Sequence, residues 1–253
     1  DLHSFPTRRS SDLSLSYYGS SGDTYSGNAT IKGSVFGANN HSGTPYGDVT
    51  VNVYSTAHTG QPVNQNGGDT YPDPLPANPT PEWLATIPNG TNNFAIYQVF
   101  GGSNMADYTP LANKKATVNV FDCHTNTIYD VFGGSNAAHV GQSTGYTTDV
   151  DVHIYGGRMH RVFGGGNGSL ANNIAANIYG NANTTVDGGL IDELYGGSNS
   201  YGDINQINLM VTQDPACDLV IGEIFGGGNE APLFGDVVTT VLCGAGSYGD
   251  FYG

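Results

Sequence analysis

Val131-Phe132-Gly133-Gly134-Ser135-Asn136 is one copy of a six-residue phrase that recurs along the chain. Further copies begin at Val99, Val162, Leu194 and Ile224. The aromatic residue of the phrase, or its equivalent, falls at positions 36, 100, 132, 163, 195, 225 and 252, so the steps are 64, 32, 31, 32, 30 and 27 residues. Self-similarity with a period of about 20 to 50 residues marks solenoids, propellers and arrays. The chain is therefore predicted to be a repeat protein.

The excess of acidic over basic residues limits the kinds of partner that the chain is expected to bind. Among 253 residues, 22 are acidic and 7 are basic, which gives a net charge of −15. Such a surface repels phosphate backbones, so nucleic acids and anionic membranes are not expected to bind. The sequence also lacks an apolar run long enough to cross a bilayer. Glycans, host or cell-surface molecules and divalent cations remain as predicted partners.

The residues around the phrase have a period of two. Val49, Val51 and Val53 alternate with Thr50 and Asn52, a pattern typical of a strand with one buried face. Positions four residues and one residue before the aromatic residue are both apolar. These two columns are Ile96, Ile128, Met159, Ile191, Ile221 and Tyr248, and Val99, Val131, Val162, Leu194, Ile224 and Phe251. Their odd offset of three predicts a corner or bulge between them.

Short strands that repeat about every 31 residues are more typical of the coil of a β-helix than of a propeller blade, which has a longer repeat. We predict an all-β, right-handed parallel β-helix solenoid of about six to seven coils, with few helices. Gly156-Gly157 and Gly188-Gly189 are predicted to form tight turns, because glycine reaches positive φ without steric cost.

Two segments depart from the repeat. Residues 1–13, DLHSFPTRRSSDL, resemble a translated sequencing adapter and are predicted to be an assembly artefact, so that 14–253 form a single β-helix domain of a longer chain. The double step after position 36 predicts an insertion at about 55–93, which carries seven of the twelve prolines. Because proline cannot donate to a sheet ladder, we expect an external loop. Trp83 and Tyr71 in this loop are the predicted ligand-binding residues.

Three further columns are candidates for specific roles. An asparagine four residues after the ring predicts a structural ladder within the turns. Its members are Asn40, Asn104, Asn136, Asn167, Asn199 and Asn229. The rings themselves are expected to stack within the rod rather than to bind sugars. Two residues before the ring the column is polar and variable, so it is expected to face solvent. There Glu193, Glu223 and Asp250 follow one another, which predicts a calcium site, and no other cofactor is expected.

A catalytic site on the coil is the less favoured interpretation of its acidic and histidine residues. Asp149 and Asp151 share one strand face, Asp130 lies beside Arg161, and His153 and His160 are near. Solvation explains such residues more often than catalysis, and the chain is predicted not to be an enzyme.

The chain has three cysteines, so at least one thiol has no disulfide partner within it. They are Cys123, Cys217 and Cys243. Stacked positions would allow Cys217 and Cys243 to form a disulfide, although three small apolar residues are the favoured interpretation.

The VFGGGN phrase, a T-x-V-x-V strand and the I-x-x-V-F return resemble the repeats of large secreted surface proteins from gut-type Bacteroidetes and related bacteria. The resemblance covers residues 29–253. It implies an extracellular or cell-surface location and a non-catalytic structural or adhesive rod. A carbohydrate-active β-helix enzyme, either a polysaccharide lyase or a glycosidase, is the alternative, and a fibre assembled end to end is the second alternative.

Overall fold

The computed structural model of the protein describes residues 30–56, 75–121, 123, 126–214, 217–242, 244 and 246–253. These residues form thirteen β-strands, one short α-helix and one turn of 3-10 helix. The strands are β1 (Ile31–Phe36), β2 (Val49–Val53), β3 (Ile96–Phe100), β4 (Ala116–Val120), β5 (Thr127–Phe132), β6 (Val150–Ile154), β7 (Arg158–Phe163), β8 (Ile178–Val186), β9 (Gly189–Tyr195), β10 (Ile204–Val211), β11 (Leu219–Phe225), β12 (Asp236–Val241) and β13 (Ser247–Tyr252). Helix α1 spans Pro81–Leu84, and the 3-10 turn spans Thr91–Asn93. The predicted adapter at 1–13 lies outside the described residues.

Successive strands alternate between two parallel sheets. The first sheet has the order β1-β3-β5-β7-β9-β11-β13, and the second has the order β12-β10-β8-β6-β4-β2. Each level of the stack therefore contributes one strand to each sheet, which confirms the all-β parallel solenoid. Five of the six steps between strands of the first sheet are 27 to 32 residues long, and the sixth, of 64 residues, contains the insertion. The right hand expected of the coil stays a prediction.

The core lies between the two sheets and is aliphatic. Valines of the second sheet, such as Val118 and Val152, face the two predicted apolar columns of the first sheet. Ile128 and Val131 are both fully buried although they lie three residues apart. Two consecutive residues therefore lie outside the core on each of these strands, which is the predicted break in alternation.

Glycines lie at two corners of the coil, one at the six-residue phrase and one at the predicted tight turns. At the phrase, a Cβ on Gly101 would lie 2.4 Å from the carbonyl oxygen of Gly133 on the next level, so the levels stack this closely only without a side chain. At the opposite corner Gly157 and Gly189 have φ of 98° and 114°, which confirms the predicted tight turns.

A disulfide joins Cys123 and Cys217, whose Cα atoms are 5.2 Å apart. The favoured interpretation of the cysteines as three unpaired apolar residues is therefore wrong, and the partner of Cys217 is not Cys243, which lies outside the described residues. The loop of Cys123 reaches one level forward, where its carbonyl oxygen accepts from the N–H of Gly157. Cys217 reaches one level back, onto Gly188. The bond thus spans two tight turns that separate these loops.

Candidate functional site

The outer face of the first sheet is where the repeat breaks down. We call the positions three and two residues before each ring the outer columns. The first outer column is Gly33, Tyr97, Tyr129, His160, Asp192, Gly222 and Gly249. The second is Ser34, Gln98, Asp130, Arg161, Glu193, Glu223 and Asp250. Strand register pairs the members of the second column on successive levels, and each member of the first column directly precedes one of them in sequence. A site that recognises a ligand needs several different side chains close together, and the two outer columns provide them.

Residues 75–94 of the insertion, here called the strap, lie against this face. Thr80 caps α1 by accepting from the Trp83 N–H at 3.3 Å, and Pro81 occupies the first turn, where its missing N–H costs nothing. Leu84 and Ile87 then pack on Leu190 and Val220 of β9 and β11. The described part of the predicted external loop is therefore docked on the sheet.

A cavity of about 450 Å³ lies between the strap and β7, β9, β11 and β13. The strap lines one side of the cavity with four apolar and two polar residues, and the outer columns line the facing side, mostly with acidic residues. The strap contributes Pro81, Glu82, Leu84, Ala85, Ile87 and Asn89, and the sheet contributes His160, Asp192, Glu193, Gly222, Glu223, Gly249 and Asp250. Both predicted sites, the charged column and the insertion, thus contribute to one cavity.

Asp192 joins a buried cation to the cavity wall. Its Oδ2 accepts from Arg158 Nη2 at 2.8 Å and lies 2.8 Å from His160 Nδ1. Arg158 is fully buried, and its guanidinium lies 5.5 Å from the ring centroid of Phe94 in the strap. The strap therefore covers an ion pair whose acidic partner, 14% exposed, reaches the cavity.

Asp130 and Arg161 form a second pair on the same face. Arg161 Nε and Nη2 donate to the two carboxylate oxygens at 2.8 and 2.9 Å, and Gln98 adds a third hydrogen bond at 3.1 Å. Burial opposes the charge on Arg161, yet the hydrogen bonds to Asp130 raise its pKa. Asp130 is fully buried, so the expectation that this column faces solvent is wrong at this level. The bidentate pair explains why a carboxylate is tolerated there.

The three carboxylates predicted to bind calcium lie on successive levels, in register. Glu193 accepts from the Tyr195 hydroxyl at 2.9 Å, and burial together with this bond raises the pKa of Tyr195. In the part of the chain that the structure describes, no three histidine, cysteine or acidic side chains converge as a metal site would require. The geometry of Glu193, Glu223 and Asp250 therefore gives the calcium prediction no support.

The asparagine and ring columns have the structural roles predicted for them. Each asparagine Nδ2 donates to the Oδ1 of its neighbour on the previous level, at 2.7 to 3.1 Å, from Asn104 through Asn229. The rings stack at centroid distances of 4.6 to 4.9 Å. Phe100, Phe132 and Phe163 are fully buried, in a cluster separate from the aliphatic core. At these levels the rings are inaccessible to a sugar.

The other catalytic candidates lie elsewhere. Asp149 and Asp151, near and on β6 of the second sheet, accept hydrogen bonds from Asn181 and Asn183 on the next level. His153 lies 3.4 Å from Asp187 on the same side. These contacts join neighbouring levels. Asp149, Asp151 and His153 do not line the cavity.

The predicted ligand-binding residues have separate outcomes. Tyr71 lies outside the described residues. Trp83 is half-buried against the cluster formed by Leu84 and its partners, so in this structure it anchors the strap.

Sequence reasoning missed Arg158, Asp192 and the cavity. Aligning the chain three residues before the ring would have revealed the change from tyrosine through histidine and aspartate to glycine.

Comparison of the chain with protein-family models, with curated proteins and with solved structures gives no match. Within the described ranges, no helix has the length and apolar character needed to span a membrane.

Proposed function

We propose that the chain is a non-catalytic structural and adhesive rod of an exported bacterial surface protein, and that it binds glycans along the outer columns beside the strap. One observation carries this proposal. The core, ring and asparagine columns keep one kind of residue from level to level, whereas the outer columns vary along the stack and border a cavity.

The rod part rests on continuous ladders. Stacked rings and bonded asparagines run through the levels from Phe36 to Tyr252 and from Asn40 to Asn229. Each level contacts its neighbours, so an elongated body is built by addition of like units. Export is supported by the Cys123–Cys217 disulfide, because such bonds persist mainly in oxidising compartments. The resemblance of the repeats to secreted surface proteins points the same way.

The adhesive part rests on side-chain chemistry. Tyr97 and Tyr129 are half-buried rings stacked at 5.7 Å on the outer face, next to amide and carboxylate groups. Half-exposed aromatic faces combined with polar groups suit the apolar faces and hydroxyls of sugars.

A glycan array with the purified chain tests the proposal. We expect retention of a subset of glycans, weakened by Tyr97→Ala and unchanged by Tyr146→Ala, which removes a 55% exposed ring from a loop outside the cavity. Incubation of the bound glycan should release no new reducing ends and no unsaturated uronides. Failure to retain any glycan would contradict the adhesive role.

One observation favours the alternative of a carbohydrate-active enzyme. His160, oriented by Asp192, lines the cavity together with Glu193 and Glu223, and an imidazole beside carboxylates can transfer protons. Product release that is lost in His160→Gln would establish this alternative in place of the adhesin.

The fibre alternative draws on the last level of the stack. Val237 and Phe251 are 39% and 51% exposed, although equivalent residues of inner levels are buried. Filaments seen by negative stain, lost in Phe251→Asp, would favour the fibre.

A further inference from the structure

We propose that Asn89 in the strap is a site of spontaneous deamidation, and that the isoaspartate formed there loosens the docking of the strap. This inference goes beyond the proposed function and does not rest on glycan binding. It is carried by the contrast between two Asn-Gly pairs that the structure describes, Asn89-Gly90 and Asn167-Gly168.

An asparagine that precedes a glycine can modify itself in water, because no side chain shields the glycine nitrogen. That nitrogen attacks the side-chain amide carbon and closes a succinimide, and the amide nitrogen leaves as ammonia with the proton of the glycine N–H. Water then opens the ring at one of its two carbonyl groups. The products are aspartate and isoaspartate, in which the main chain runs through the side-chain carbon. The rate depends on how freely the nitrogen and the carbon can approach each other.

Asn89 and Gly90 can make this approach. Both are exposed, between the buried Ile87 and the 3-10 turn. Within the described ranges, neither the side chain of Asn89 nor the N–H of Gly90 makes a hydrogen bond. A Cβ added to Gly90 would have one neighbour within 4 Å, the Asn93 Nδ2 at 3.6 Å, so the backbone is uncrowded. Ring closure therefore breaks no hydrogen bond of the fold.

Asn167 and Gly168 are held in place by the solenoid. The Asn167 Nδ2 donates to Asn136 at 3.1 Å, and its Oδ1 accepts from Asn199 at 2.9 Å. Gly168 is buried, and a Cβ there would overlap the carbonyl oxygen of Tyr201 on the next level. Attack requires the side chain to leave both hydrogen bonds, so we expect it to be at least about tenfold slower than in the strap.

The strap is anchored on both sides of Asn89. Ile87 packs in the apolar cluster that docks the strap on the sheet, and Phe94 is buried with its ring near Arg158. Isoaspartate adds one carbon atom to the main chain between these anchors and redirects it, which strains the connection that holds both in their sites. The strap should therefore open more often, and exchange of its amide protons reports each opening.

Peptide mapping by mass spectrometry tests the modification. After incubation of the purified chain at mildly alkaline pH, we expect conversion at Asn89 to be at least about tenfold faster than at Asn167. Gly90→Ala should suppress the conversion, and the structure accommodates it, because Gly90 has a φ of −66° and the added Cβ makes an ordinary contact. In denaturant the two asparagines should react at similar rates, since the fold no longer distinguishes them.

Hydrogen exchange tests the consequence. The isoaspartate form, separated from the incubated chain by ion exchange and identified by peptide mapping, should exchange the amides of residues 81–94 at least about fivefold faster than the parent, the equivalent of one lost hydrogen bond. Asn89→Asp is the control, because it introduces the same charge without the added main-chain atom, and it should exchange more slowly than the isoaspartate form. Incubated Gly90→Ala should exchange like the fresh variant.

Several results would overturn the inference. Absence of conversion at Asn89 would contradict the modification itself. Equal rates at Asn89 and Asn167 in the folded chain, or a difference that persists in denaturant, would show that the fold does not select the site. Equal exchange of the strap in the parent and isoaspartate forms, or in the isoaspartate form and Asn89→Asp, would contradict the loosening by a longer main chain.

Discussion

At the scale of single residues, the ladder asparagines show how one side chain joins three levels. Asn136 Nδ2 donates to Asn104 while its Oδ1 accepts from Asn167. Asn229, near the last level, makes one such bond and is exposed. We expect Asn136→Ala to lower the free energy of unfolding by about 1–3 kcal/mol, because two partners lose a bond, and Asn229→Ala to cost less than half as much. Urea denaturation of both variants measures this. Equal effects would show that the amide ladder does not set the difference.

Asp130 and Arg161 allow a sharper test. Arg161→Met leaves the fully buried carboxylate of Asp130 with only Gln98, so we expect a loss of about 3–5 kcal/mol. Because the charge itself causes this loss, the double variant Asp130→Leu/Arg161→Met should recover most of it. A double variant that is less stable than Arg161→Met in urea denaturation would contradict that cause.

Residues that recur could be predicted, and residues that occur once could not. Asn136 and Phe132 each meet their own kind on the next level, so counting the period was enough to assign them a role. Arg158 occurs once in its column and is buried by Phe94, which comes from the strap. Periodicity has no information about contacts made by an insertion.

At the scale of elements, the strap is held by a small apolar cluster. Leu84 is 1% exposed, and truncation of a buried leucine typically costs about 2–5 kcal/mol. We expect Leu84→Ala to release the strap, so that amides of residues 81–94 exchange faster and Arg158 becomes accessible. Hydrogen exchange read by mass spectrometry checks this. Leu111→Ala, at a side chain 56% exposed, should leave the exchange of the strap unchanged.

The disulfide provides a second prediction at this scale. Cys123 and Cys217 are 94 residues apart, and closing a loop of that length stabilises by about 4–5 kcal/mol in the chain-entropy model. The variant Cys123→Ser/Cys217→Ser should lose about this amount in chemical denaturation and should no longer respond to reductant, whereas the parent chain should fall to the same stability when reduced. A reductant effect that persists in the double variant would assign the stabilisation to another bond.

The strands were predictable and the docking of the strap was not. Alternation of valine with polar residues located β2, because burial on one face has a period of two. The insertion leaves the chain between β2 and β3, yet α1 packs on β9, β11 and β13. Nothing in a local pattern specifies a contact across that many levels.

At the scale of the whole molecule, stability should vary along the stack. In a solenoid each level is stabilised by its two neighbours, and the last level has one within the described residues. Val237 and Phe251 are exposed there, whereas Val152 and Val131 of inner levels are buried. We expect amides of β12 and β13 to exchange at least about tenfold faster than those of β5 to β8. Uniform protection along both sheets would contradict this gradient.

The disulfide also fixes the number of levels between the two loops that it joins. Two levels, neither more nor fewer, separate the loops that carry Cys123 and Cys217, and each loop reaches over one of them. A duplication or deletion of one repeat between the two cysteines would move the sulfur atoms apart or past each other by one strand spacing, about 4.8 Å. Repeats gained or lost before Cys123 or after Cys217 would leave the bond intact. We therefore expect unequal recombination, by which repeat genes lengthen and shorten, to be tolerated outside the segment between the two cysteines of this solenoid and to break the disulfide within it.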